Sequence, residues 1–394
     1  MEEEYTEKLK KKIFEETSKC RICMSCYVDC PLQLSTMGFV TQGPTGIIKA
    51  IYYAILWDVL QGKDAEDLRD IVYSCTTCGS CVNRCKKSAC GISIIDVVET
   101  GRQFLLEKMI GPLPDQKIAL ESIYKYGNPY GEAPDRRLSW LDDPKVKRLP
   151  DEQAEVLFYV GCTASYESEL HNLARSLVKL FTFLEVDFGV LVGEECCGDP
   201  VSTLGDEFLF QEMMGRNLEK FTAAGIKTIV TTSPHCFNTF LKKYEDFTDK
   251  FEVKHYTEFL AQAFDGKKTA FKKELPYTIT YHDPCYLGKH NSIYDPPRAL
   301  LKAIPGVSLV EMEMTRENSL CCGGGGGRMY AEVEEEKRLA DTRLEQALKV
   351  GADVIATACP WCHTMLLNAV RDQQVEETLK TRDVAELLVE ALDF

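Results

Sequence analysis

Cysteine spacing defines the chemistry available to this chain. "CRICMSCYVDCP" places Cys20, Cys23, Cys26 and Cys30 ahead of Pro31, and "CTTCGSCVNRC" repeats the run as Cys75, Cys78, Cys81 and Cys85. Three thiols two residues apart can wrap a loop around one corner of a 4Fe–4S cubane, while the fourth reaches the neighbouring cluster. By that logic Cys20, Cys23, Cys26 and Cys85 hold one cubane, and Cys75, Cys78, Cys81 and Cys30 hold the other. Zinc is the competing occupant, but two compact triples of this kind are far more typical of iron–sulfur ligation. Such a module passes electrons. After Cys85, Lys86 and Lys87 stand where a proline is expected and place positive charge beside the cluster, which raises its reduction potential; Cys90 beyond them reads as a structural thiol.

A second set of thiols is built differently. "SLCCGGGGGRMY" (319–330) puts Cys321 and Cys322 side by side ahead of five glycines. Buried free thiols before a flexible loop, a vicinal disulfide and a metal site all fit this stretch alone. An internal repeat decides between them. "EVLFYVGC" ends at Cys162 and "YTITYHDPC" at Cys285, 123 residues on; "EECCGDP" and "SLCCGGG" place Cys196 and Cys321 125 apart; "KTIVTTSPHC" and "DVIATACPWC" place Cys236 and Cys362 126 apart. Two related domains follow, at 155–265 and 275–394. The later copy gathers Cys285, Cys321, Cys322, Cys359 and Cys362 into a metal site, with the glycines giving a cluster room. The earlier copy has Cys162, Cys196, Cys197 and Cys236, with Ser233 at the position of Cys359.

The elements that must position these thiols are legible in outline. Residues 1–140 read as a helical module of ferredoxin type: "MEEEYTEKLKKKIFEETSK" is an amphipathic helix, and 46–73 between the runs is helical by its apolar spacing. Residues 141–154, polar with two prolines, read as a linker. Beyond them each cysteine landmark follows a short β-rich run, with helical stretches such as "ELHNLARSLVKLFTFL" and "EVEEEKRLADTRLEQALKV" between. Alternating strands and helices imply parallel sheets, with the thiols converging at the carboxyl ends of the strands. The fold class is α+β and multi-domain: a helical two-cluster module followed by two duplicated α/β domains.

Composition sets the limits. The 394 residues carry a net charge of −15, which argues against a nucleic-acid or anionic-membrane surface. No secretory signal opens the chain, and its most apolar stretch, "AIYYAILWDVL", contains Asp58 and is too short to span a bilayer. These features indicate a cytoplasmic protein that reaches a membrane through a partner subunit. Eighteen cysteines in that setting point to metal or redox chemistry rather than disulfides. No G-x-G-x-x-G follows a strand and the glycine run lacks a Lys-Ser/Thr ending, so neither a dinucleotide nor a phosphate loop is indicated.

The pattern C-x35-C-C-x36-C-P-x-C at 285–362 resembles the cysteine-rich CCG domain. Two copies behind two ferredoxin runs resemble the catalytic subunit of the membrane-associated heterodisulfide reductases of archaea, over essentially the whole chain. The resemblance implies that Cys285, Cys321, Cys322, Cys359 and Cys362 hold a noncubane 4Fe–4S cluster. There an iron binds a substrate sulfur while a disulfide, such as the CoM-S-S-CoB heterodisulfide, is split in two one-electron steps. A b-type membrane cytochrome or another electron-donating redox subunit and a small thiol or disulfide are the implied partners. The first copy departs from the pattern at Ser233: Ser233 or His235 completes the site, or a simpler cluster is held, or none.

Cys322, His282 and Asp283 are the candidate catalytic residues, the last two as proton donors before a ligand, with His363 as second choice. Lys289 and Arg328 lie near ligand loops and read as surface salt-bridge residues, and His171 and His255 as ordinary helix or surface residues. A competing function is an electron-relay subunit of a membrane-linked hydroxyacid or glycerol-3-phosphate dehydrogenase, in which a separate flavoprotein does the chemistry. A purely structural use of the clusters is the third reading.

Overall fold

Helices fill the first third of the chain; the first ferredoxin-type run occupies an irregular stretch between them, and the second begins in a turn and ends on the helix Ser80–Ser88. The computed structural model describes all residues except 1, 37, 89, 245–246, 266–270, 332–336 and 393–394. The longer helices are Glu2–Ser18, Pro44–Leu56, Gly62–Tyr73, Ser80–Ser88, Ile94–Glu107 and Pro114–Tyr126, with a single turn at Leu32–Ser35. Pro44 opens its helix where a missing N–H costs nothing, and Ile47, Ile48, Ile51 and Ala54 form its buried stripe. That stripe lies on Ile94–Glu107 at Gly101, where a Cβ would sit 2.6 Å from Cδ1 of Ile51. The glycine therefore sets how closely these two helices approach.

The remaining two thirds form two parallel sheets. The first contains β1 (Lys147–Leu149), β2 (Val156–Tyr159), β3 (Phe188–Leu191), β4 (Thr228–Thr231) and β5 (Glu252–His255), in the order β1-β3-β2-β4-β5. The second contains β6 (Thr278–Tyr281), β7 (Ser308–Val310), β8 (Val354–Thr357) and β9 (Lys380–Asp383), in the order β7-β6-β8-β9. Register repeats with topology, since Leu157 pairs with Ile229 in the first sheet as Thr280 pairs with Ile355 in the second. Strands β2 and β6 each stand between the two strands that follow them in the chain. Cys162 and Cys285 therefore emerge at the point where strand order reverses, the usual ligand position in such sheets.

Two expectations change in detail. The stretch expected as a linker contributes β1, whose Lys147 pairs with Gly189, and fully buried Trp140 meets Phe158 edge-on with ring centroids 6.1 Å apart. Of "EVEEEKRLADTRLEQALKV", Leu339–Lys349 is helical, while 332–336 lie outside the described residues. The α/β halves share one core, in which Phe158, Phe181 and Tyr256 of the first join Tyr281, Leu301 and Leu388 of the second. Among the described residues no helix is long and apolar enough to cross a membrane.

Candidate cluster-binding sites

Cys30, Cys75, Cys78 and Cys81 line one cavity together with Pro31, Pro44, Ile47, Ile94, Ile95 and Val98. Cys30 of the first run thus lies together with three thiols of the second. Burial pushes the Cys30 thiol up strongly, with Cys78 and Cys75 adding to it, and burial does the same to Cys81. Thiolates crowded in an apolar cavity repel one another, and a cationic iron core removes that cost, so this donor set fits a cluster. The helix Ser80–Ser88, which carries Cys85, lies against the turn Ser25–Tyr27, which carries Cys26. Arg84 fixes the two runs together by donating to both oxygens of Asp29, at 2.6 and 2.7 Å. Cys23 is exposed and Cys20 half-buried, so the first run is the outer one.

In the second α/β half, five thiols meet beyond the strand ends. Cys285 follows β6, Cys321 and Cys322 lie on the connection after β7, and Cys359 and Cys362 flank the start of the helix Pro360–Asp372. All five are buried, and the sulfurs of Cys322 and Cys362 are 3.3 Å apart. The Gly323 N–H donates to the Cys321 sulfur at 3.4 Å. His282 joins Cys322 and Cys362 in a group whose donor atoms all lie within 4.8 Å of one another. Its Nδ1 accepts from Arg343 Nε at 3.1 Å, while Nε2 is buried without a partner. Burial first, and the Arg343 charge second, hold the imidazole far below its ordinary pKa.

This arrangement revises the expected proton donors. A neutral His282 is a hydrogen-bond donor through Nε2 rather than an imidazolium acid. Asp283 receives Arg298 Nη1 and Nη2 at 2.6 and 2.9 Å, the Arg316 N–H at 2.8 Å and Thr315 Oγ1 at 3.3 Å. Surrounded by donors, its carboxylate accepts all four of these hydrogen bonds and anchors the loop before Cys285. His363 is buried on the Pro360–Asp372 helix, and burial depresses its pKa too.

The first half repeats the construction with four thiols. Cys162, Cys196, Cys197 and Cys236 line a cavity with Asp199, Ser233, His235, Tyr330 and Trp361. The Gly198 N–H reaches the Cys196 sulfur at 3.5 Å, as Gly323 reaches Cys321. Ser233, in place of a fifth thiol, caps the helix Pro234–Lys242 by accepting the His235 N–H at 3.2 Å. Cys359 holds the same helix-start position without a side-chain cap. The His235 ring meets Asp199 at 3.0 Å, and Arg137 Nη1 donates to the Cys162 sulfur at 3.3 Å while its other nitrogens pair with buried Glu194. Arg137, Glu194, Asp199 and the role of His235 carry no local spacing signature. Only Glu194 and Asp199, flanking the cysteine pair, hint at their place.

The glycine run also meets the ferredoxin module. A Cβ on Gly325 would lie 2.3 Å from the Thr76 carbonyl oxygen, and one on Gly326 2.0 Å from that of Cys75. Gly325 and Gly326 therefore admit the backbone of the second ferredoxin run, while Gly323 at the start of the glycine run stays on the Cys321 sulfur. The same surface is tied by Tyr286 OH to Thr77 Oγ1 at 2.9 Å and by His290 Nε2 to the Thr77 carbonyl at 2.9 Å. Cys78 packs with Cys285, Tyr286 and Cys321 in one buried cluster. Lys289, expected at the surface, is buried here and donates to Ser80 Oγ at 2.6 Å and to the Ser319 carbonyl. Arg328 is half-buried and reaches the Ser74 carbonyl. His255 is fully buried and caps the helix Tyr256–Ala263, whereas His171 begins its helix partly exposed. Cys90 packs against the helical core.

A helical two-run module seated on paired, parallel α/β halves, each closing a set of buried thiols, defines a multi-cluster iron–sulfur oxidoreductase. Residues 16–89 match the 4Fe-4S dicluster domain family, and residues 156–241 and 279–367 each match the cysteine-rich domain family CCG. The chain is 40% identical over 331 residues to the probable iron-sulfur-binding oxidoreductase FadF of Bacillus subtilis (strain 168), covering 82% of this chain and 46% of that protein. It is 33% identical over 376 residues to the EtfAB:quinone oxidoreductase of Syntrophomonas wolfei, covering 92% of this chain and 51% of that one. It thus spans about half the length of these two relatives. Against a subunit of the dihydromethanophenazine:CoB--CoM heterodisulfide reductase of Methanosarcina barkeri it is 33% identical over 337 residues, covering 84% of this chain and 80% of the relative. The chain belongs to the iron–sulfur oxidoreductase family that includes this heterodisulfide reductase subunit.

Proposed function

We propose that the chain takes electrons at its first ferredoxin run, moves them through the second, and reduces a disulfide at the five-thiol site. The observation that carries this reading is the packing of Cys78 on Cys285 and Cys321, which joins the second run to the complete cysteine set with no intervening residue. Bound to these thiols, two cubanes would supply one-electron carriage and a noncubane cluster at the five-thiol site would supply two-electron chemistry at sulfur. The first α/β half, with Ser233 capping a helix, holds a further, simpler cluster in this scheme or serves as the wall of its neighbour. The overall reaction is RS–SR′ plus two electrons and two protons giving RSH and R′SH. Arg343 fixes His282 so that its Nε2–H is offered toward the Cys322 and Cys362 sulfurs, and Arg298 and Asp283 hold the Cys285 loop in place.

The test uses anaerobic, oxidised protein mixed with a small thiol such as coenzyme M or coenzyme B. The expected result is a new paramagnetic signal broadened by 33S in the thiol. A second reading, electron relay from a flavoprotein to a membrane quinone, is favoured by the name of the S. wolfei relative, EtfAB:quinone oxidoreductase. It takes over if no thiol perturbs the spectrum while a flavoprotein reduces the chain rapidly. In either case a membrane-bound redox subunit is the partner we expect.

A further inference from the structure

Two buried cations stand at the join between the second ferredoxin run and the α/β halves, and neither has a carboxylate partner among the described residues. Arg102 is fully buried on the helix Ile94–Glu107. Its Nη2 donates to the Cys75 carbonyl at 2.8 Å and the Val72 carbonyl at 3.1 Å, and its Nη1 to Gly326 at 2.9 Å and Thr203 at 3.0 Å. The guanidinium also lies 4.9 Å from the Tyr73 ring centroid. Lys289 sits on the other side of the run, against Ser80 and Ser319. Among the described residues no carboxylate lies in ion-pair range of either cation. Of the other buried arginines at the thiol sites, Arg137 is neutralised by Glu194 and Arg298 by Asp283 and Glu311, whereas Arg343, which donates to His282, Met314 and Gln346, stands at the five-thiol site and away from the second run.

Burying an unpaired charge costs several kcal/mol unless a counter-charge is near, and carbonyl dipoles supply only part of it. The counter-charge on offer is the thiolate-ligated cluster of Cys75, Cys78, Cys81 and Cys30, which is negative when oxidised and more negative when reduced. Arg102 donates to the Cys75 carbonyl and Lys289 to Ser80, which lies between Cys78 and Cys81, so each cation stands beside a ligand loop of this cluster. Among the described residues the first run has no fully buried cation: Lys49, which donates to the Thr17 carbonyl, is only half-buried. Arg84 is paired with Asp29, and Lys86 and Lys87 are exposed, so water screens the effect expected of them.

We propose that Arg102 and Lys289 are positioning residues for electron flow. They raise the reduction potential of the second-run cubane above that of the first, so that electrons are drawn inward toward the five-thiol site. Because Arg102 bonds Cys75 and Gly326 together, the same residue locks that cubane onto the glycine run. This rests on the two-cubane reading and not on which substrate the chain reduces. The potentials are read without substrate, so disulfide reduction can fail while this proposal stands.

The experiment is a dye-mediated potentiometric titration of the full-length, anaerobically reconstituted protein, followed by electron paramagnetic resonance. The second-run signal is identified as the one altered in Cys81→Ser. In Arg102→Gln that cubane should show about a tenfold lower reduced-to-oxidised ratio at a fixed ambient potential, about 59 mV for a one-electron couple. Arg102→Lys should restore most of it, Lys289→Gln should shift the same cubane downward, and Lys86→Gln should move neither. Wild-type titration of Arg102→Gln and Lys289→Gln at full iron content, or equal shifts of both cubanes, overturns the proposal. If Arg102→Gln fails to retain iron, Lys289→Gln decides alone: a selective downward shift supports the proposal and an unchanged potential sinks it.

Discussion

Trp361 donates its indole N–H to Oγ1 of Thr163 at 2.9 Å, so a residue held between two thiols of the second site closes the wall of the first. The contact is reciprocated, because His235 of the first half stacks on Tyr286 of the second with ring centroids 3.9 Å apart. Thr163 and Tyr286 each directly follow the first cysteine of their half. The duplicated halves thus face each other through equivalent loops. Trp361→Phe should cost about 0.5–1.5 kcal/mol through the lost hydrogen bond. Trp361→Ala should cost about 3–5 kcal/mol in chemical denaturation, through the cavity it leaves.

Iron content distinguishes the states of the first half. Two cubanes and a filled five-thiol site give about twelve irons per chain, and a filled four-thiol site gives more. Iron and acid-labile sulfide analysis of anaerobically prepared protein reads this directly, and zinc in the ferredoxin runs would refute the cluster assignment.

The two cysteine-rich halves should respond unequally to loss of a thiol. Cys322→Ser is expected to abolish disulfide reduction while leaving both cubane signals intact. Cys197→Ser should reduce the rate less, because its site already has Ser233 at the fifth position. Equal damage in steady-state assays would show that the second half is not the privileged one.

Asp283 and Arg298 form a buried pair whose halves are not equivalent to remove. Arg298→Met leaves the carboxylate buried without its partner and should destabilise the protein by about 3–5 kcal/mol. Asp283→Asn keeps the loop's acceptor oxygen and should retain disulfide reduction within roughly tenfold, whereas an essential proton donor would lose about 10²–10⁴-fold. Denaturation and single-turnover rates separate the two roles.

Burial pushes the Asp383 carboxyl up to about 8, although the Ala385 N–H and Tyr256 OH partly oppose it. The folded state therefore keeps a proton that the unfolded chain releases near pH 4. Folding binds more protons than unfolding between about pH 4 and 8, so this group's stability contribution falls as pH rises through that window. Asp383→Asn should flatten the decline, gaining on the order of 1–3 kcal/mol over wild type above pH 8 and little at pH 5. Denaturant midpoints at the two pH values test it.

The sequence alone determined the cysteine inventory, the duplication and the parallel α/β character of the later two thirds. These are local properties: ligand type, ligand spacing, and short β-rich runs that end at each landmark. Tertiary structure alone decided that the glycine run receives Cys75 and Thr76, that Lys289 is buried, that Arg343 fixes His282, and that Arg102 joins Cys75 to Gly326. It also placed Asp283 against Arg298 and the Arg316 N–H, where it anchors the loop before Cys285. Arg102 and Gly326 are 224 residues apart, and Lys289 and Ser80 are 209 apart. No periodicity marks such pairs, because what selects an arginine or a glycine there is the charge and the closeness of a surface that exists only once the domains have packed.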